Sequence, residues 1–198
     1  PILSVVDEIQ MLVEQYGVDK FFIVDESIFW YKDRAELFAE EILRRGLKIT
    51  YASSARVTDK GINLETLTKM RLSGLTRVDF GVESGSQRIL DDICKHTTIE
   101  QIKKAHEIAH EAGLATTSLM IIGHLEETWD DIYKTFELIQ NIPTEYPEFG
   151  PLTPYPATVV YEKAIERGWI RDDNWGNYYI SLPYRVLRNG IFDYFDVW

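Results

Sequence analysis

Cysteine is almost absent: Cys94 is the only one in 198 residues. A single cysteine excludes an internal disulfide and a metal site built from the cysteines of this chain alone. Long apolar runs are also missing, and none approaches the roughly 20 residues that span a bilayer. No charged-then-apolar leader of the signal-peptide kind opens the chain. Positive charge is scarce, with 21 Lys and Arg against 32 Asp and Glu and a formal net charge of −11. A surface of that sign repels nucleic-acid backbone and anionic membrane, so neither is expected as a partner. The cytoplasm is the compartment these absences favour. The chain starts Pro1-Ile2-Leu3 and runs almost directly into a helix, which reads as a piece of a longer protein. What is present is ordinary globular composition, 45% hydrophobic and 27% charged, enough for one domain with a sizeable core.

Against that background one signal repeats. Amphipathic stretches end at Gly17, Gly46, Gly74 and Gly113, each followed by Val18, Leu47, Leu75 or Leu114 and then by a run rich in β-branched or aromatic residues. Glycine at the left-handed position after a helix, with an apolar residue next, is the Schellman arrangement. A weaker fifth copy, "ERGWI", closes on Gly168. Helix starts agree: "DRAE" from Asp33 and "TIEQ" from Thr98 are capping-box patterns, and Asn63 and Thr128 stand at the heads of acid-bearing first turns. The pattern predicts helices over 4–16, 33–45, 63–73, 86–95, 98–112, 127–140 and 158–167. Strands are predicted over 20–26, 48–55, 77–83, 115–122 and 148–153. Strands alternating with helices imply right-handed crossovers and a parallel sheet. The expected fold is α/β, a partial (β/α)6 TIM-like open barrel lacking its first strand. A doubly wound open sheet is the alternative.

In parallel α/β folds ligands bind at the carboxyl ends of the strands. That edge is polar throughout: Asp25, Glu26 and Ser27; Ser53, Ser54 and Arg56; Glu83 and Ser84; Gly123 and His124; Thr153, Pro154 and Tyr155. Glu83 is an acceptor suited to paired hydroxyls such as those of a ribose. Asp25 and Glu26 can accept from an ammonium group, and Arg56 can make a two-pronged bond to a carboxylate. Gly81, Gly85 and Gly123 are expected to let a ligand approach the backbone. An amino acid joined to a ribose meets all three polar demands.

The stretches "FFIVDESIF", "SSAR", "RVDFGVESGSQRILDDICK", "TTIEQIKKAHEIAHEAGL", "MIIGHLEET" and "PYPAT", in this order, resemble the radical S-adenosylmethionine superfamily. The likeness is greatest to its branch with an N-terminal cobalamin-binding domain, the anaerobic porphyrin-ester cyclase and methyltransferase-like group. It runs from about Ser4 to Gly168, so residues 1–168 are expected to be the C-terminal part of the barrel and 169–198 an aromatic-rich extension. The resemblance implies a 4Fe-4S cluster on a C-x3-C-x2-C loop absent from this chain, and S-adenosylmethionine bound to the cluster. It further implies a 5′-deoxyadenosyl radical acting on a small or macrocyclic substrate, an electron donor such as flavodoxin or ferredoxin, and cobalamin through a domain outside the chain.

Position by position, the resemblance places Asp25-Glu26 at the methionine amino group and Arg56 at the methionine carboxylate. It places Glu83 and Ser84 at the ribose, and Ile122-Gly123 and Tyr155 at the adenine. Two stretches depart from the family pattern. "GHLEET" stands where Gly-Leu-Pro-Gly-Glu-Thr is usual, and Ala157 stands where glycine is usual. No catalytic residue and no metal ligand is assigned within the chain.

Other motifs carry less. "DFG" at Asp79-Gly81 lacks the partners of a kinase signature. His106 and His110, four apart, lack the glutamate and third ligand of a zinc site and are expected on a solvated helix face. Cys94 is expected as a buried or half-buried thiol. Asp91-Asp92 and Asp130-Asp131 read as solvated faces or first turns. His124 is a candidate for substrate contact. Two alternative functions stand beside the radical enzyme: a metal-dependent barrel hydrolase or isomerase using Asp25, Glu83 and His124, and a non-catalytic scaffold.

Overall fold

The computed structural model describes residues 2–170. The order is α1 (Ile2–Tyr16), β1 (Lys20–Ile23), α2 (Lys32–Arg44), β2 (Thr50–Ala55), α3 (Leu64–Leu72), β3 (Leu75–Glu83) and α4 (Gln87–Asp92). Then come α5 (Ile99–Glu111), β4 (Ala115–Ile122), α6 (Trp129–Gln140), β5 (Tyr146–Pro151) and α7 (Val159–Glu166). The strands form one parallel five-stranded sheet in the order β1-β2-β3-β4-β5, the expected α/β arrangement. No helix among the described residues is long and apolar enough to cross a membrane. The aromatic stretch 171–198 lies outside the described residues.

All five repeat glycines take positive φ. At Gly46 the N–H donates to Leu43 O at 3.0 Å, and the Leu47 N–H donates to Ile42 O at 3.2 Å. Gly113-Leu114 and Gly168-Trp169 repeat this bond pair, which is the Schellman pattern. A sixth copy escapes the glycine rule: at the end of α4, Cys94 is left-handed at φ 53°, its N–H donates to Asp91 O, and the Lys95 N–H donates to Leu90 O at 2.9 Å. The Cys94 thiol is exposed there, not buried as expected, because the left-handed cap projects it away from the helix it ends.

Two helix starts match their motifs. Thr98 and Gln101 make a full capping box, and Asn63 accepts from the Thr66 N–H. Asp33 does not cap: α2 begins at Lys32 after Tyr31, so Asp33 lies within the first turn, where its charge suits the helix dipole. β1 is shorter than expected. Asp25 Oδ1 accepts from the Ser27 N–H at 3.0 Å and draws the chain out of the strand into a turn.

The described chain divides into two compact units. The first holds residues up to Val82 with Thr97–Leu119 and Ile139–Pro147; the second holds Glu83–His96, Met120–Leu138 and the described residues from Glu148. In the first unit α1 packs on α2, α2 on α3 and α3 on α5. The buried stripe of α2 is Ala35, Phe38, Ala39 and Ile42, spaced at helical intervals. Phe38 meets the Tyr51 ring edge-on at 5.4 Å, and full burial of such a ring contributes about 1.5–3 kcal/mol. β3 places Val78, Phe80 and Val82 in the core.

His106 belongs to this core and not to a solvated face. It sits on the stripe Ile102, Ala105, His106 and Ala109, fully buried, with its ring 5.0 Å from Phe80. The pairing that mattered was with Ile102, one turn back, and not with exposed His110. Nδ1 donates to Ile102 O, and Nε2 lies 2.8 Å from Ser118 Oγ, so both ring nitrogens are satisfied. In the second unit, Leu152, Val160, Trp169 and Ile170 pack around Leu125 and Ala164. Phe136 of α6 stacks on Phe149 of β5 at 5.2 Å.

Candidate functional site

The carboxyl ends of β1 and β2 belong to the first unit. Both Asp25 oxygens are taken by Arg34, with Nη1 at 3.0 Å from Oδ1 and Nη2 at 2.6 Å from Oδ2. The Arg34 guanidinium holds the Asp25 carboxyl below its usual range, against the opposing pull of partial burial. Glu26 beside it is exposed. With Ser27, Trp30, Tyr31 and Arg34, these two acids line an open pocket of about 380 Å³. At the end of β2 the Arg56 guanidinium lies over the Trp30 ring at 5.1 Å, and the Arg56 N–H donates to Asp59 Oδ2 at 2.8 Å. Asp59 also accepts from Ser27 Oγ, which ties the loops after β1 and β2 together. Arg34, Trp30 and Asp59 escaped the sequence reading because each acts through a partner on another element or a full helical turn away.

The second unit carries the carboxyl end of β3. Glu83 is left-handed at φ 69°, a region rarely adopted by residues with a Cβ. Its Oε1 accepts from Lys95 Nζ at 2.7 Å, and the two side chains are 20% and 24% exposed. Ser84 is fully buried; its Oγ accepts from the Ser86 N–H at 3.1 Å and lies 3.3 Å from Thr135 Oγ1. That hydroxyl locks the turn behind Glu83. Gly85 donates its N–H to Thr135 Oγ1 at 2.9 Å, and a Cβ here would stand 2.4 Å from Lys134 O. Gly85 is therefore required by close packing on α6, not by a ligand as expected.

Asp131 completes the lock. It is 2% exposed and accepts from Ser86 Oγ at 2.6 Å, from Arg88, and from the Thr128 N–H and Oγ1 at 2.9 and 2.6 Å. Burial disfavours its charge, but these donors outweigh burial and hold the carboxyl well below the usual range.

The loop after β4 is organised by Glu127, which the sequence reading did not assign. Its Oε2 accepts from the Gly123 N–H at 2.5 Å and the His124 N–H at 3.3 Å. Gly123 is left-handed at φ 91°, and Ile122 O accepts from the Leu152 N–H at 2.8 Å. Glu127 is fully buried, and burial pushes its carboxyl up to about 7. His124, 3% exposed, hydrogen-bonds to the Glu83 backbone, and burial keeps its ring neutral at pH 7. Tyr155 is partly exposed, and its carbonyl accepts from the Thr158 N–H and Oγ1 at 3.2 and 2.6 Å at the head of α7. Ala157, where the resembling family has glycine, is left-handed at φ 62°.

Among the described residues no three of His, Cys, Asp and Glu are gathered to hold a metal, and Cys94 stands alone. The described residues therefore do not fit a cluster. An organic cofactor bearing hydroxyls and a carboxylate does fit the chemistry at β3: a partly exposed carboxylate with an ammonium beside it, on strained backbone.

A parallel α/β sheet with polar groups at its strand ends defines the class, and comparison with known proteins supplies the family. The model described as "Radical SAM superfamily" matches residues 1–139, and the chain belongs to that superfamily. It is 31% identical, over 93% of its length, to the uncharacterized methyltransferase PH0819 of Pyrococcus horikoshii. It is also 31% identical, over 81%, to the anaerobic magnesium-protoporphyrin IX monomethyl ester cyclase of Rubrivivax gelatinosus. The chain spans only 40% and 29% of those relatives. Among solved structures, the radical S-adenosylmethionine methyltransferase TsrM of Kitasatospora setae, with cobalamin and a [4Fe-4S] cluster bound, superposes with TM-score 0.73 at 18% identity. The match covers 84% of this chain and 32% of that one. The expected family and fold are thus confirmed.

Proposed function

We propose that the chain is part of the catalytic barrel of a radical S-adenosylmethionine enzyme, with 1–168 in the barrel and 169–198 an extension. The observation that carries this is the Glu83–Lys95 pair on left-handed backbone at the carboxyl end of β3, in a chain of this superfamily. In this reading Glu83 accepts from the ribose hydroxyls, and Lys95 holds its carboxylate while adding positive charge beside it. Ser84 serves the ribose by fixing the turn. Arg56 meets the methionine carboxylate, and the exposed Glu26, with Asp25 clamped beside it, meets the amino group. Ile122, Gly123 and Tyr155 flank the adenine.

A 4Fe-4S cluster in the full-length protein would supply the electron for reductive cleavage of S-adenosylmethionine, and the residues named above would hold that cofactor beside an organic substrate. Ligands for that cluster belong to the full-length protein outside the described residues. The names of the methyltransferase and porphyrin-ester cyclase relatives support a small-molecule or macrocyclic substrate and an enzyme over a scaffold. The resemblance to the cobalamin-binding branch supports a cobalamin domain elsewhere in the protein, and the TsrM structure has cobalamin bound. The reaction calls for an electron donor such as flavodoxin or ferredoxin, and the acidic charge supports a protein with no nucleic-acid or anionic-membrane partner, a cytoplasmic one in this reading. The test is Glu83→Ala in the reconstituted full-length protein: affinity for S-adenosylmethionine falls at least about tenfold. Unchanged affinity removes Glu83 from the ribose.

A further inference from the structure

A residue with a Cβ at φ 69° is strained and keeps that conformation only where its neighbours over-determine it. Glu83 is held on three sides. Lys95 holds its carboxylate. Thr135 and Asp131 hold the turn that follows. The third hold is His124, almost fully buried, whose ring hydrogen-bonds to the Glu83 backbone. A backbone carbonyl only accepts, so the ring supplies the N–H. The backbone that carries the ring is held by Glu127, which takes the backbone N–H groups of Gly123 and His124. A chain of contacts thus runs from Glu127 through the loop and the imidazole to the carbonyl of Glu83.

We propose that His124 is a positioning residue for Glu83, fixing the backbone of that residue so that its carboxylate is presented to the cofactor's ribose hydroxyls. The proposal rests on the assignment of Glu83 made above. His124 acts through Glu83, so its effect must disappear when the Glu83 carboxylate is removed. A residue that merely stabilised the fold would cost the same in either background.

The experiment is a double-mutant cycle in the anaerobically reconstituted full-length protein, read as the Kd for S-adenosylmethionine by equilibrium dialysis. His124→Leu is expected to raise the Kd about tenfold, the scale of one hydrogen bond to a strained backbone. His124→Gln, which keeps an N–H donor, is expected to stay within about threefold of the wild type. In the Glu83→Ala background His124→Leu is expected to add less than about twofold. Melting curves and iron content for each variant confirm folding, and His124→Met, which also lacks an N–H donor, replaces His124→Leu in both backgrounds if that variant does not fold. A wild-type Kd for His124→Leu, or an equal loss in both backgrounds, overturns the positioning role alone. An unchanged Kd for Glu83→Ala overturns the ribose assignment, and this proposal with it.

Discussion

Lys95 Nζ lies 2.7 Å from Glu83 Oε1, and it arrives there because Cys94 ends α4 in the left-handed conformation and turns the chain back. A partly exposed ion pair of this kind contributes only about 0.2–1 kcal/mol to stability. That is too little to hold a left-handed glutamate by itself, and the turn behind it, tied by Thr135 and Asp131, supplies the rest. Lys95→Met in the full-length protein is expected to raise the Kd for S-adenosylmethionine about tenfold, with the melting temperature moving by less than about 4 °C. Calorimetric titration measures the first and a thermal scan the second. An unchanged Kd removes Lys95 from the site.

Ala157 and Cys94 occupy backbone that glycine takes without cost, at φ 62° and 53°. Left-handed backbone costs a residue with a Cβ about 1–2 kcal/mol, and glycine gives back part of this by loosening the unfolded chain. Ala157→Gly and Cys94→Gly are each expected to stabilise the protein by about 0.5–1 kcal/mol in denaturant unfolding. Gly46→Ala, at φ 66° with open space around its Cβ, should cost about 1 kcal/mol through backbone conformation alone. Destabilisation by Ala157→Gly contradicts the assigned loop shape.

Glu127 makes stability depend on pH with a definite sign. Burial raises its carboxyl from 4.5 to about 7, so between those values the folded protein binds the proton that the unfolded chain has released. Its contribution is complete below pH 4.5, declines as pH rises, and is gone above about 7, a change on the order of 3 kcal/mol. Glu127→Gln removes this term. Unfolding measured from pH 5 to 8 is expected to show a flatter profile for the variant than for the wild type; parallel profiles contradict the assignment.

His106 has the opposite sign. Burial lowers its pKa below 6.5, so the folded protein resists the proton that the unfolded chain takes up. Stability from the neutral ring is complete above about pH 6.5 and lost as pH falls through the folded value. His106→Ala should cost about 2–4 kcal/mol at pH 7.5, through the cavity and the unpaired Ser118, whereas exposed His110→Ala should cost less than about 0.5 kcal/mol. Equal effects at the two positions would return His106 to the surface.

Much of the fold was legible because it is written locally. Helix ends were marked by glycines, starts by Asn63 and Thr98, and strands by runs between them, so β4 falls on its predicted residues. Misreadings arose where a local rule had an uncommon occupant or a distant partner. Cys94 fills a cap usually taken by glycine. His106 pairs with Ile102, one turn back, and not with His110, the histidine that shares its spacing. The polar strand ends were located, including Glu83, but their connections were not. Arg34 on Asp25, Thr135 on Gly85, Glu127 on the loop after β4 and His124 on Glu83 are contacts made by the folded chain. Spacing in the sequence carries no sign of them.

The central claim is tested most directly by anaerobic reconstitution of the full-length protein with iron and sulfide, followed by reduction in the presence of S-adenosylmethionine. The account predicts a 4Fe-4S cluster in the absorption and electron paramagnetic resonance spectra, with S-adenosylmethionine cleaved to methionine and 5′-deoxyadenosine. A protein that folds but forms no cluster, or forms one and leaves S-adenosylmethionine unbound and intact, contradicts it.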